Sequence, residues 1–236
     1  MTEILPVDIN NDFVLDLNMY EKYIPFLLRT NIKKELDNTF KKYENNKNFA
    51  HVKFHYFENM GFYQSKNIYE TIPLQLRLSK DIYEMNFIPI QYLLNLVEKY
   101  NYNPKKINVL IWGCGCCIID YYLDKIGYNI TSYDNWSQID KVIVTDFLSK
   151  LGDNNIFIPD NLEMFENKNF DVLIDTGNFM NNKKIIQNPN VKIIFTWAVE
   201  RLDWESNTND NLEYLQNYFI RLNLPTSTIF INKKNI

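Results

Sequence analysis

From Ile107 to Val199 the chain repeats one pattern: a short apolar run, a turn built on glycine or aspartate, then apolar residues spaced by three and four. Short apolar runs bounded by turn signals mark strands buried on both faces, whereas spacing by three and four marks helices with one covered face. A regular alternation of the two restricts the fold sharply. It predicts a doubly wound α/β domain, with a mainly parallel sheet and helices on both sides.

The elements follow in order. Ile107 to Trp112 is a buried strand, Gly113-Cys114-Gly115 a tight turn, and Ile118, Ile119, Tyr122, Leu123 and Ile126 the stripe of a helix that Gly127 stops. Tyr128 to Tyr133 is the second strand and ends in Asp134. Ser137 can cap a helix with apolar positions Ile139, Val142, Ile143, Phe147 and Leu151, and Gly152 follows it. The β-branched run Val142-Ile143-Val144 also suits a strand ending at Asp146. The helix is preferred because it leaves Ile156 to Ile158 as the third strand and makes the later spacing work. Phe170 to Ile174 is the fourth strand, closed by Asp175-Thr176-Gly177-Asn178, and Val191 to Val199 is the fifth. Asn211 to Leu222 reads as a helix and Thr228 to Ile231 as the last strand.

Before Asn101 to Lys106 the chain has a different character, mostly helical and aromatic. Met19 to Tyr43 carries Tyr20, Tyr23, Ile24, Leu27, Leu28, Ile32, Leu36 and Phe40 at helical spacing, with a break near Pro25. Ala50 to Phe57 alternates as a strand does. Ile88 to Tyr100, around Pro89, is a stronger helix whose Ile90, Leu93, Leu94, Leu96 and Val97 can cover a sheet. The expected division is a mostly helical, aromatic-rich cap over residues 1–86 and the α/β domain over 87–236. Tyr56, Phe57, Phe62, Tyr63, Gln64 and Tyr69 surround Gly61 and offer amphipathic walls to a small polar molecule. An aromatic core that binds nothing explains them equally well.

Composition narrows the function classes. With 236 residues and 46% hydrophobic content, the chain can bury a real core. A net charge of −4 supplies no general attraction to polyphosphate, so a nucleic-acid partner is not expected. Lys33, Lys34, Lys41 and Lys42 alternate with Glu35, Asp37 and Glu44 in the manner of a solvated helix face. Met1 to Asn10 carries acids and a proline where a secretory signal needs a basic start and an apolar stretch, which leads us to expect a cytoplasmic location. Val109 to Ile119, the most apolar run, is too short for a membrane span. Cys114, Cys116 and Cys117 crowd into one turn and fit a reducing compartment better than a disulfide framework. The adjacent Cys116 and Cys117 lack C-x-x-C spacing, and His51 and His55 have no acidic partner at a recognised spacing. No metal site is expected.

The chemistry concentrates at the carboxyl ends of the strands. A parallel sheet binds ligands there, where the first loop brings backbone N–H groups and a helix N-terminus toward the ligand. Glycines at 113 and 115 permit close approach, and Asp134 at the end of the second strand can accept both hydroxyls of a ribose. Val109-Leu110-Ile111-Trp112-Gly113-Cys114-Gly115-Cys116-Cys117 resembles the first motif of the class I S-adenosylmethionine-dependent methyltransferases. Gly127-Tyr128-Asn129-Ile130-Thr131-Ser132-Tyr133-Asp134 is similar to their second motif, and Phe157-Ile158-Pro159-Asp160-Asn161-Leu162 to their third. Phe170-Asp171-Val172-Leu173-Ile174-Asp175 resembles their fourth strand, and the likeness spans about Ile88 to Val199.

The resemblance implies S-adenosyl-L-methionine as cofactor, held by Trp112, Gly113, Cys114, Gly115, Asp134, Asn135, Asp160, Asn161 and Asp175. It departs from the family at Ile111, where an acid is usual, and at Cys117, which replaces a third glycine. The terminal β-hairpin of the family is expected to be shortened. Asp175 and Asn178 stand where a hydroxyl or amine would be oriented or deprotonated; alternatively, Asp175 caps a turn and Asn178 starts a helix. Trp136 suits an adenine face or a plain core position.

The resulting expectation is a methyltransferase acting on a small molecule, with a sugar or sugar nucleotide favoured. Its rival is a catalytically inactive, methyltransferase-like binding or scaffold protein, for which Ile111 and Cys117 argue. A nicotinamide-dependent oxidoreductase would need glycine where Ile118 stands. No Asn-Pro-Pro-Tyr sequence follows the fourth strand, which weakens an amino-methylating nucleic-acid enzyme.

Overall fold

Alternate residues of the strands belong to two separate cores. In a computed structural model, which describes residues 38, 41–43, 89–90, 92–114, 117–136, 141–150, 152, 155–164, 168–175, 183–196, 209–223 and 228–235, six strands form one sheet. They are β1 (Asn108–Trp112), β2 (Asn129–Tyr133), β3 (Val172–Asp175), β4 (Ile193–Thr196), β5 (Phe219–Asn223) and β6 (Thr228–Asn232). Their spatial order is β2-β1-β3-β4-β6-β5. The pairs β1–β2, β1–β3 and β3–β4 are parallel, and β6 runs antiparallel to both β4 and β5. Val109, Ile111, Val172, Ile174, Ile193, Phe195, Ile229 and Ile231 face one core; Leu110, Leu173, Ile194 and Phe230 face the other. A period of two along strands apolar at every position is what a sheet covered on both sides requires.

The helices supply the two covers. On the first face lie α1 (described over 89–90 and 92–98), α2 (Ile118–Ile126) and α3 (Lys141–Lys150), through Leu93 and Leu96, Leu123, and Phe147. On the second lie the short α4 (Lys183–Ile186) and α5 (Asn209–Tyr218), through Ile186 and Leu215. Tyr92 of α1 meets Phe195 edge to face at 5.5 Å between ring centroids, and the Tyr128 hydroxyl donates to the Leu93 carbonyl. The architecture is doubly wound, with a mainly parallel sheet. Among the described residues no helix is long and apolar enough to cross a membrane.

Gly127 ends α2 at φ +111°, its N–H donating to the carbonyls of Asp124 at 2.8 Å and Leu123 at 3.1 Å. A Cβ added there would lie 3.2 Å from Pro104 Cγ. Left-handed backbone costs a non-glycine residue about 1–2 kcal/mol. Gly127→Ala should therefore lower stability by about that amount in urea denaturation, and an unchanged midpoint would contradict this cap.

Four expectations need correction. Val142 is 60% exposed, and α3 buries Ile143, Val144, Phe147 and Leu148 instead, a stripe rotated from the one read in the sequence. The third strand is reduced to a single parallel bridge of Phe157 with Thr131 at the β2 edge. Pro159, lacking an N–H, cannot extend that pairing. Phe219 to Leu222 is strand rather than helix: β5 pairs with β6 over all five residues. The terminal hairpin is consequently not shortened. Val199, the expected end of the fifth strand, and all of residues 1–86 except 38 and 41–43 lie outside the described residues. Within the latter group Lys42 Nζ pairs with Asp146 of α3 at 3.2 Å, a surface contact of little energetic weight.

Candidate functional site

The strand order reverses at β1: β2 lies on one side of it and β3 on the other. Loops leaving the carboxyl ends of β1 and β3 therefore diverge to opposite faces, and the crevice between them is where open α/β sheets take ligands. Trp112 closes β1, with Tyr133 of β2 and Asp175 of β3 opposite it in register. The Trp112 and Tyr133 rings stack at 4.6 Å between centroids.

After Trp112 the chain turns at Gly113, whose φ is +72°. The N–H groups of Gly113 and Cys114 both donate to the Tyr133 carbonyl, at 2.8 and 3.1 Å. This seats the turn beside Asp134, the residue that follows. It also commits two amides to the sheet that the sequence alone suggests would face a ligand. The Asp134 carboxylate accepts the Trp136 backbone N–H at 3.0 Å, a local turn that fixes its direction. Trp136 is half-buried against the first core, and its indole N–H is buried without a partner among the described residues.

The remaining expected residues divide into four groups. Asp160 and Asn161 follow the Phe157 bridge, at the same end of the sheet but along its outer edge. Asp160 is 80% exposed and ion-paired with Lys141, while Asn161 accepts the Met164 N–H at 3.2 Å and so caps the Leu162–Met164 turn. Asn135 is exposed. Asp175 is only 1% exposed and accepts the Thr196 hydroxyl at 2.9 Å across the β3–β4 pair. Gly115 and Asn178 lie outside the described residues.

One buried acid escaped the sequence reading. Asp120, in the first turn of α2, is 1% exposed and accepts the Ser132 hydroxyl from β2. Burial pushes its carboxyl up to about 7, against an ordinary 3.8. The thiols of Cys114 and Cys117 lie next to it, and burial raises both, Cys114 strongly. Their separation in the sequence is C-x-x-C after all; the adjacency of Cys116 and Cys117 hides it. Ile111, which stands in place of the usual acid, is fully buried between Ser132 and Ile174.

No family model matches the sequence, and a search of curated proteins finds no match. Several solved structures are similar in fold. A TehB-like SAM-dependent methyltransferase from Corynebacterium glutamicum shares 17% identity over 70% of this chain and 96% of its own, with a TM-score of 0.39. A variant of MtNAS in complex with S-adenosylmethionine shares 13% identity over 78% of this chain and 70% of its own, with a TM-score of 0.45. A dimethyladenosine transferase from Plasmodium falciparum shares 16% identity over 56% and 58%, with a TM-score of 0.37.

Proposed function

We propose that this protein is an S-adenosylmethionine-dependent methyltransferase acting on a small molecule in the cytoplasm. The observation that carries the reading is the Tyr133 carbonyl accepting from Gly113 and Cys114, which draws Asp134 to the loop of β1 at the point where the strand order reverses. The indole N–H of Trp136, buried without a partner among the described residues, also fits, since a buried donor gains most from an acceptor that a ligand brings.

When bound, the cofactor supplies an activated methyl group on a sulfonium, so the protein's task is alignment and exclusion of water. Asp134 would hold the ribose hydroxyls of the cofactor, and Trp112, Gly113, Cys114 and Gly115 would hold its nucleoside. Asn135, Asp160 and Asn161 would hold its adenine, with Lys141 paired to Asp160. Asp175, anchored by Thr196, and Asn178 orient the substrate hydroxyl or amine, and the Asp175 carboxylate takes up its proton. The small-molecule class is supported by the net charge of −4; no contact among the described residues favours a sugar over other small molecules. Residues 1–86 serve as the cap and 87–236 as the cofactor domain.

Calorimetric titration with S-adenosylhomocysteine tests the assignment. Asp134→Ala should weaken binding by about 1–3 kcal/mol, roughly 5- to 150-fold. An unchanged affinity removes Asp134 from the site. A wild-type protein that binds nothing up to millimolar ligand favours the inactive scaffold.

A further inference from the structure

Cys114, Cys117 and Asp120 are spaced by three residues, and the backbone folds each step back on itself. The Cys117 N–H donates to the Cys114 carbonyl at 2.9 Å, and Cys117 is the N-cap of α2, which puts Asp120 one turn along. The two sulfurs and a carboxylate oxygen lie within 4.8 Å of one another, and all three groups are buried. Asp120 Oδ1 accepts the Ser132 hydroxyl, but Oδ2 is buried with no hydrogen-bond partner among the described residues.

An acceptor buried without a donor is costly, and native proteins leave few of them. Here the orphan oxygen stands beside two sulfurs, themselves electron-pair donors once deprotonated. Among the described residues the cluster holds no positive group. We propose that Cys114, Cys117 and Asp120 form a binding site for a single thiophilic cation of the Zn2+ class, with Ser132 orienting the carboxylate.

Two sulfur ligands and one oxygen select zinc-like ions over magnesium or calcium, which demand oxygen throughout. Three protein ligands leave a fourth position for water or another donor. Ser132, fully buried on β2 and opposite Ile111, plays the supporting part that outer hydrogen bonds play at metal centres. Occupancy would tie the loop after β1 to the first turn of α2, and coordination expels the thiol protons to solvent. The site stands independently of the methyltransferase reading.

The test uses the full chain, reduced, stripped with a chelator and titrated with Co2+ in the absence of nucleoside. We expect stoichiometric binding with sulfur-to-metal charge-transfer absorption and the visible bands of a four-coordinate ion, displaced by Zn2+. Cys114→Ser and Cys117→Ser should abolish the charge-transfer band, and Ser132→Ala should weaken affinity roughly 10- to 100-fold. Cys116→Ser should retain both band and affinity. Circular dichroism establishes that each variant is folded; if a cysteine variant is not, the wild-type titration and Cys116→Ser decide. Absence of stoichiometric Co2+ binding by the wild type overturns the proposal, as does a band that persists in folded Cys117→Ser or vanishes in folded Cys116→Ser. Failure to bind S-adenosylhomocysteine alongside intact Co2+ binding counts only against the methyltransferase reading.

Discussion

Phe230→Ala is expected to destabilise the protein by about 3–5 kcal/mol, the range for emptying a buried aromatic site. Phe230 is fully buried in β6, a strand buried at all five positions, with Ile194 of β4 and Arg221 of β5 opposite it in register. Around it the second core gathers Leu110, Leu173, Ile194, Leu215 and Phe219, drawn from strands and helix alike. Rigid strands on both sides prevent collapse into the space a phenyl ring leaves, which pushes the cost toward the upper end. For a chain of this size the melting temperature should fall by roughly 6–20 °C. A fall of about 2 °C or less would mean that β6 is not central to the sheet.

The second large effect is a dependence on pH. Asp120 has a folded-state carboxyl raised by burial to about 7, whereas in the unfolded chain it returns to its ordinary 3.8. Between those values the folded protein holds a proton that the unfolded chain has released, so stability falls as pH rises. The contribution is fully present below about pH 4 and is lost progressively up to about pH 7. Each pH unit in that window lowers stability by about 1 kcal/mol, a few kcal/mol in all. Urea denaturation from pH 4.5 to 8, with a chelator present, should show this decline. Asp120→Asn, which keeps the shape of the neutral acid, should flatten it and be the more stable protein at pH 8. Parallel profiles for the two proteins would show that Asp120 is not held neutral by burial.

Much of this fold is legible in the sequence because glycines mark where elements end. Gly113 follows the end of β1 and Gly127 the end of α2, and the apolar runs of β1, β3 and β4 are too short for anything but buried strands. The boundary between α5 and β5 is not legible. Leu212, Leu215, Phe219 and Leu222 are spaced by three, four and three, so the helical pattern runs on where the chain has already become a strand. Only pairing with β6, a contact between distant residues, decides it. The candidate site divides in the same way. Gly113 and Asp134 stand out because a motif and a strand end mark them, whereas Asp120 looks like an ordinary polar residue in a helix. Its burial depends on how α2 is turned against Ser132, which no local spacing records. The step of three linking Cys114, Cys117 and Asp120 was the available signal.

In the proposed function the loop after β1 and the acid after β2 together hold one adenosine. Crystals grown with S-adenosylhomocysteine test it most directly. We expect density for the nucleoside beside Gly113, with both ribose hydroxyls within hydrogen-bonding distance of the Asp134 carboxylate. A nucleoside bound elsewhere, or a crevice between the ends of β1 and β3 filled by the protein's own side chains, would contradict it.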